Sequence, residues 1–372
     1  MAAVISTKAS TMLRRFQKAP RASGLPWLSS FIGCMVDPDQ CARGRPVAQP
    51  KERGLLHKRR TTWLRRAPGV GTLAAGLLFL LVACFNGEAP PDHLSVLSWN
   101  VENLFDAVDD EHEHDDELRA RWSGDDYDAK LAALARVLNA AGPPDIIALS
   151  EIENENVLND LRDRLTDGSQ YSVHYEPWPT RTEVALLSRW PVLDMQSFEL
   201  RPGGRPALQG TFLIRGEKLV VFVVHWKSRR GGEDATRALR VREARTLARI
   251  VEALLRDYPE LKLLVLGDFN DTARDVSLRL LASPDGESGD DLLRHCIADE
   301  PGSYVYRGEW FMLDHILISP GVFNHADGAL GLVDCGLFLP FGDMIEGDAP
   351  ARFQNRSGYS DHLPLRIRLR LN

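Results

Sequence analysis

Short apolar runs bounded by polar or turn residues recur from Leu94 to Leu371. Those at Leu94–Trp99, Ile146–Leu149, Val184–Leu187, Val220–Val224, Leu263–Leu266, Met312–Ile318 and Leu365–Leu369 predict strands. Val220–Val224 is apolar at every position, so it reads as a strand buried on both faces. Helical spacing predicts an amphipathic helix over Tyr127–Ala141, ending before Gly142-Pro143-Pro144. A long charged helix is expected over Glu233–Arg256. Strands outnumber helices, and no long linker or internal repeat interrupts them. The pattern predicts a single layered α/β domain over residues 94–372.

Asp109–Glu117 (DDEHEHDDE), followed by Gly124-Asp125-Asp126, has no period and too many acids to fold by itself. It reads as a solvated loop. A divalent-ion site using its carboxylates with His112 and His114 is the alternative.

The chain ahead of Leu94 is different. Residues 1–66 show no sustained period. Ala67–Gly87 carries no charge, and Leu73–Phe85 (LAAGLLFLLVACF) is its densest apolar run, preceded by Lys58, Arg59, Arg60, Arg65 and Arg66. A basic region and a short apolar region make a secretory signal; a membrane-spanning helix wants a longer apolar stretch. Leu81-Val82-Ala83-Cys84 resembles the lipobox of bacterial lipoprotein precursors, in which the Cys becomes the first mature residue and carries lipid. The resemblance implies a protein lipid-anchored in the bacterial cell envelope. Residues 1–83 are thus a leader: about 1–55 reads as an upstream extension and 56–83 as the signal. Residues 84–93 form a tether. Cys296 and Cys335 lie in the body, where they are expected either to pair or to be buried thiols.

Over the whole chain the formal net charge is −7. The leader is strongly basic, so the body is more acidic than the total suggests. Such a body does not grip nucleic acid by bulk counterion release. A polyanion would need a local basic patch or bound cations.

Polar residues crowd just past the strand ends. Asn100 and Glu102 follow the first strand, Glu151 and Glu153 the second, His225 the VVFVV run, and Asp268 and Asn270 the LLVLG run. Asp314 and His315 lie within FMLDHILIS, and Asp361 and His362 precede the last strand. One such residue is explained by turn preference; six segments together are not. Carboxylates with a carboxamide oxygen suit Mg²⁺ or Mn²⁺, with Ca²⁺ as a further option. A His held by a carboxylate suits proton transfer. No HExxH, GxSxG or Walker A sequence is present.

Seven motifs occur in order: Trp99-Asn100-Val101-Glu102-Asn103-Leu104-Phe105, Leu149-Ser150-Glu151-Ile152-Glu153-Asn154, Val184-Ala185-Leu186-Leu187, His225-Trp226-Lys227-Ser228-Arg229, Gly267-Asp268-Phe269-Asn270, Leu313-Asp314-His315-Ile316-Leu317 and Ser360-Asp361-His362. Together they resemble the endonuclease/exonuclease/phosphatase superfamily, which includes pancreatic-type deoxyribonucleases, apurinic endonucleases, sphingomyelinases and inositol phosphatases. The bacterial secreted branch is the most similar. The resemblance implies a four-layer α/β sandwich, two packed mixed sheets flanked by helices. It implies metal-binding roles for Asn100, Glu151 and Asp361. It implies catalytic roles for His225, Asp268, Asn270, Asp314 and His362, with Asp314 orienting His362. Glu183 is the candidate that orients His225. Ser150 stands where the superfamily often has Gln, Lys227 where secreted relatives commonly have Pro, and Arg307 where they commonly have Gln.

The implied activity is metal-dependent phosphodiester hydrolysis, with DNA or RNA outside the cytoplasm as the leading substrate. Hydrolysis of a lipid or small phosphate ester is the alternative, and a catalytically silent surface-binding lipoprotein is the third reading. Arg229 and Arg230 are the expected substrate-binding pair. Arg237 and Arg240 either extend that patch or pair with acids of their own helix. Trp226 and Trp310 are expected either to stack on bases or to pack in the core. No protein partner is evident.

Overall fold

The computed structural model describes residues 92–108, 122–140, 142–180, 182–284, 291–297, 301–324 and 329–371. The leader, the tether up to residue 91, Cys84 and Asp109–Glu117 lie outside the described residues.

In chain order the strands are β1 (His93–Leu104), β2 (Ile146–Ile152), β3 (Ser172–Tyr175), β4 (Glu183–Ser188), β5 (Val192–Glu199), β6 (Pro206–Ile214), β7 (Glu217–His225) and β8 (Lys262–Asp268). They continue with β9 (Arg294–His295), β10 (Tyr304–Tyr306), β11 (Glu309–Phe311), β12 (Asp314–Ile318), β13 (Leu332–Leu337), β14 (Ile345–Glu346), β15 (Ala349–Pro350) and β16 (Leu365–Arg370). The main helices are α1 (Gly124–Ala140), α2 (Glu155–Asp163), α3 (Glu233–Asp257) and α4 (Val276–Ala282). Two six-stranded sheets form, ordered β13-β16-β1-β2-β4-β3 and β5-β6-β7-β8-β12-β9. Both are mixed: β1–β2 and β7–β8 are parallel pairs within otherwise antiparallel ladders. With helices around them, the sheets make an α/β sandwich, as expected.

Alternation along each strand divides the core. Leu94 and Val96 of β1, Ile146 and Ala148 of β2, and Val184 and Leu186 of β4 face a cluster shared with the other sheet. That sheet contributes Leu208, Phe212, Val221, Val223, Leu264, Leu266, Ile316 and Ile318. The intervening Leu97, Trp99, Ile147, Leu149, Ala185 and Leu187 pack with Leu131, Leu134 and Leu138 of α1 and Val157, Leu158 and Leu161 of α2. The central strands are therefore covered on both faces, which is why they read as continuous apolar runs. Each fully buried Leu or Val contributes about 1.5–3 kcal/mol.

Three expectations change. First, α1 begins at Gly124, so Gly124-Asp125-Asp126 is a helix start and not loop. Asp126 accepts the Ser123 amide (2.9 Å), and Arg356 pairs with both aspartates. Acids in a first turn complement the helix dipole. Second, α2 appears where no helix was expected. Asn154 caps it by accepting the Val157 amide at 2.9 Å. Third, β5 and β6 form the outer part of the second sheet without having been predicted.

Cys296 and Cys335 are disulfide-bonded. Cys335 lies on β13 of one sheet, and the Cys296 amide donates to Ile316 on β12 of the other. The bond staples the two sheets and closes a sequence separation of 39 residues. Loop-closure entropy then assigns it roughly 4 kcal/mol. A Cys296→Ser/Cys335→Ser double variant is expected to lose about 3–4 kcal/mol in denaturant unfolding. An unchanged midpoint would contradict the staple.

Candidate active site

The ends of β1, β2, β7 and β8 and the loop before β16 meet at one edge of the sandwich. Asn100, buried on β1 where its ladder with β2 loses register, donates to Glu151 Oε1 (3.1 Å) on β2 and to Asp268 Oδ2 (3.0 Å) on β8. Glu151 Oε2 accepts the Asn103 amide at 2.8 Å. His225 Nε2 lies 3.5 Å from Asp268 Oδ2 and 3.7 Å from Glu151 Oε1. Asp268 Oδ1 accepts the Asn270 amide at 2.8 Å, and Asn270 Nδ2 donates to Asp268 Oδ2 and to the Trp226 carbonyl. Gly267 permits this convergence: a side chain there would run into the Val224 carbonyl of the parallel strand β7.

The backbone at the site is bent on purpose. Glu102, Asn103, Glu151 and Asn270 all have positive φ. The β1–β2 and β2–β4 ladders lose register at Asn100–Leu104 and at Ser150–Ile152. Such bulges re-aim side chains at a sheet edge, and non-glycine residues in this region cost energy that the surrounding structure must supply.

His362 is fixed from several sides. Its Nδ1 shares a hydrogen bond with Asp314 Oδ2 (2.7 Å), and Trp99 Nε1 donates to its carbonyl (2.9 Å). Ser303 Oγ donates to the same Asp314 oxygen at 2.6 Å. His362 Nε2 sits 3.9 Å from Asp268 Oδ2. Ser360 Oγ binds the Asn100 carbonyl, and the Asp361 amide donates to Glu102 Oε2 at 3.1 Å. The Ser360-Asp361-His362 loop is thereby tied to β1.

Burial and neighbouring charge set the protonation states. Burial pushes Asp268 up to about 7, with Asp314 adding to the effect. Burial, then the adjacent Asp361, pushes Glu102 to about 7 as well. His225 is held well below its ordinary range by burial and by the nearby Arg205. Burial also pulls on His362, but Asp314 and Asp268 outweigh it and hold His362 well above the usual histidine range. The two histidines therefore differ in charge at neutral pH.

Lys130 was hidden in the apolar stripe of α1. It is wholly buried and donates to the Tyr359 carbonyl at 2.6 Å. Burial lowers its ammonium to about 8, while Glu102, Asp361 and Glu151 act to keep it charged. Ser303 gave no sequence signal beyond standing near Asp314. Glu102 was visible at a strand end but received no role.

Several candidates lie differently from a substrate-facing array. Glu183 is buried and hydrogen-bonded to Thr180; its Oε2 and His225 Nδ1 are both buried without a hydrogen-bond partner. Burial pushes Glu183 to about 7. Arg229 is engaged by Asp271 (3.1 Å), Asp275 (2.9 Å) and Glu233 (3.2 Å), and donates to the Asn270 carbonyl (2.8 Å). Its guanidinium braces the Asn270 loop. Arg230 is exposed beside it. Arg240 is fully buried on Asp271, and Arg237 pairs with Glu233 and Asp234, so neither extends a basic patch. Trp226 is core, packed edge-on against Phe269.

The donor set fits a hard divalent cation. Asp268, Asp314 and His362 offer atoms within 4.8 Å of one another. Asp314 and His362 share one hydrogen bond, which leaves Asp314 Oδ1 buried without a partner, whereas Glu102, Asp361 and Glu151 act together on Lys130 and Glu102 pairs with Arg352. Burial raises Asp268 and Glu102 to about 7 despite the cations beside them, and a bound cation would relieve that cost.

Stability follows from these shifts. A carboxyl raised in the fold binds a proton that the unfolded chain has lost, so stability falls as pH rises through about 7. His362 adds to this fall, because its stabilisation is complete below the unfolded value of 6.5 and is lost through its raised folded value. The lowered His225 and His315 lose stability only below 6.5. Lys130, lowered to about 8, opposes this near the alkaline end, because the unfolded chain keeps the proton that the folded lysine sheds; between pH 6.5 and 8.5 the metal-free protein is expected to lose a net few degrees of Tm. Mg²⁺ should restore them at pH 8.5. A flat profile in differential scanning fluorimetry, or no effect of Mg²⁺, would contradict the assignment.

A family model described as the Endonuclease/Exonuclease/phosphatase family matches residues 95–370. No curated protein sequence matches the chain. Solved structures share the fold at low identity. Truncated TDP2 of Caenorhabditis elegans is 17% identical with TM-score 0.51, covering 75% of this chain and 98% of its own. The human Nocturnin catalytic domain with bound sulfate is 19% identical with TM-score 0.52, covering 76% and 94%. A protein of the same family from Bacteroides thetaiotaomicron is 16% identical with TM-score 0.50, covering 76% and 100%.

Proposed function

The chain belongs to the endonuclease/exonuclease/phosphatase family, and from that premise we propose that it is a divalent-metal-dependent phosphodiesterase cleaving DNA or RNA outside the cytoplasm. The observation that carries the reading is Asp268, buried between two histidines, His225 and the carboxylate-held His362. Its Oδ2 lies 3.5 Å from His225 and 3.9 Å from His362.

Glu151 and Asp361, with Asn100 beside Glu151, would hold Mg²⁺ or Mn²⁺. When bound, the ion withdraws charge from the phosphoryl oxygens. Asp268, ionised above about pH 7, orients a water and takes its proton. Asn270 fixes that carboxylate through its amide and is itself held by the Trp226 carbonyl. His362, kept charged by Asp314, donates to a phosphoryl oxygen as negative charge grows there. His225 is neutral and stands beside both Asp268 and Glu151, where its ring hydrogen-bonds the departing oxygen, which takes its proton from a solvent water while Asp268 later returns its own to solvent.

The resemblance of Leu81-Val82-Ala83-Cys84 to a lipobox, together with the Cys296–Cys335 bond, is what supports our reading of a bacterial cell-envelope protein anchored through Cys84. No helix among the described residues is long and apolar enough to cross a membrane. One observation favours a second reading: Arg229 is committed to three carboxylates, which weakens the expected patch for a long polyanion and favours a lipid or small phosphate ester.

Parallel assays on bis-p-nitrophenyl phosphate and p-nitrophenyl phosphate, each with Mg²⁺ or EDTA, test the reaction class. Diester hydrolysis lost in EDTA is expected. Turnover of the monoester alone would replace the reading with a phosphatase.

A further inference from the structure

β10 and β11 are joined through Arg307 and Gly308, both at positive φ (54° and 81°). This two-residue turn matches the twist of a tight hairpin. Residues directly opposite on an antiparallel pair share a face, and successive residues alternate. The register Tyr304↔Phe311, Val305↔Trp310 and Tyr306↔Glu309 thus gives one face to Tyr304, Phe311, Tyr306 and Glu309. Trp310 and Val305 occupy the other.

The first face belongs to the active site. The Tyr304 ring lies 4.7 Å from the His362 ring at 35°, and the two residues form a β-bridge. The Arg229 guanidinium lies 6.0 Å from the Phe311 ring centre. Tyr306 continues this face about 7 Å further along the strand. Its ring is large and apolar, yet it is 53% exposed. The Arg307 guanidinium lies 5.1 Å from its centre. Glu309, exposed and directly opposite, disfavours a phosphate here and leaves a neutral planar group as the better occupant.

We propose that Tyr306, backed by Arg307, is the stacking platform for the nucleobase neighbouring the scissile phosphate. The assignment rests on the nucleic-acid reading above and gives the stacking role to neither Trp226, which is core, nor Trp310, which is on the far face. A base on an aromatic ring is worth about 1–3 kcal/mol, which is a fivefold to more than hundredfold effect on affinity.

Two measurements on the full chain test it. Binding of a fluorescein-labelled phosphorothioate octathymidylate, followed by fluorescence polarisation in Ca²⁺, should weaken about tenfold in Tyr306→Ala and recover in Tyr306→Trp. Equal affinity of wild type and Tyr306→Ala would overturn the platform, whatever the enzyme hydrolyses. In turnover, the preference for p-nitrophenyl thymidine 5′-phosphate over methyl p-nitrophenyl phosphate should fall about tenfold in Tyr306→Ala, seen in KM. An unchanged preference would also overturn it. Failure of the wild type to hydrolyse either diester would instead overturn the phosphodiesterase reading, while the binding result still decides the platform.

Discussion

Asp268→Asn is expected to lower kcat on a phosphodiester by about three to four orders of magnitude with the fold intact, the scale of losing a positioned base together with its electrostatic role. The substitution keeps the shape and the acceptor for the Asn270 amide. It removes the negative charge, the proton-accepting oxygen that faces His225 and His362, and the acceptor for the Asn100 and Asn270 side-chain amides. Burial makes that charge costly, and relief of that cost offsets part of the loss of those two hydrogen bonds above pH 7. Retained turnover in Asp268→Asn, with near-native circular dichroism, would remove Asp268 from the mechanism.

His362→Ala should cost about two to four orders of magnitude in kcat. The partner variant Asp314→Asn tests how His362 works. Asp314 raises His362 against the downward pull of burial. Without that charge His362 deprotonates at lower pH. The alkaline fall in activity should therefore move to lower pH in Asp314→Asn, with partial recovery on acidification. An alkaline limb that does not move would show that the charge of His362 is not what the reaction uses.

What was legible in the sequence follows from burial. β1, β2, β4, β7 and β8 are covered on both faces, so they announce themselves as apolar runs. The polar residues at their ends then stand out against that background, and these are the residues the fold gathers. β5 is an outer strand, only partly buried, and its sequence carries no such contrast. α2 is short, and its start depends on the single cap at Asn154. Charge was the weakest guide. Arg229 looked like a phosphate ligand because its acidic partners are supplied from Asp271 and Asp275, more than forty residues further on. Lys130 and Arg240 are buried cations, and a sequence gives no direct sign that a charge is compensated inside. Tyr306 depended on hairpin register, which only the structure shows.

The most direct test incubates the purified protein with supercoiled plasmid in Mg²⁺ or Mn²⁺, with EDTA and Asp268→Asn as controls. Conversion to nicked circles that stops in EDTA and is lost in Asp268→Asn is the predicted result. Plasmid left intact while bis-p-nitrophenyl phosphate is hydrolysed would contradict the nuclease, and nicking that persists in EDTA would contradict the metal-dependent site.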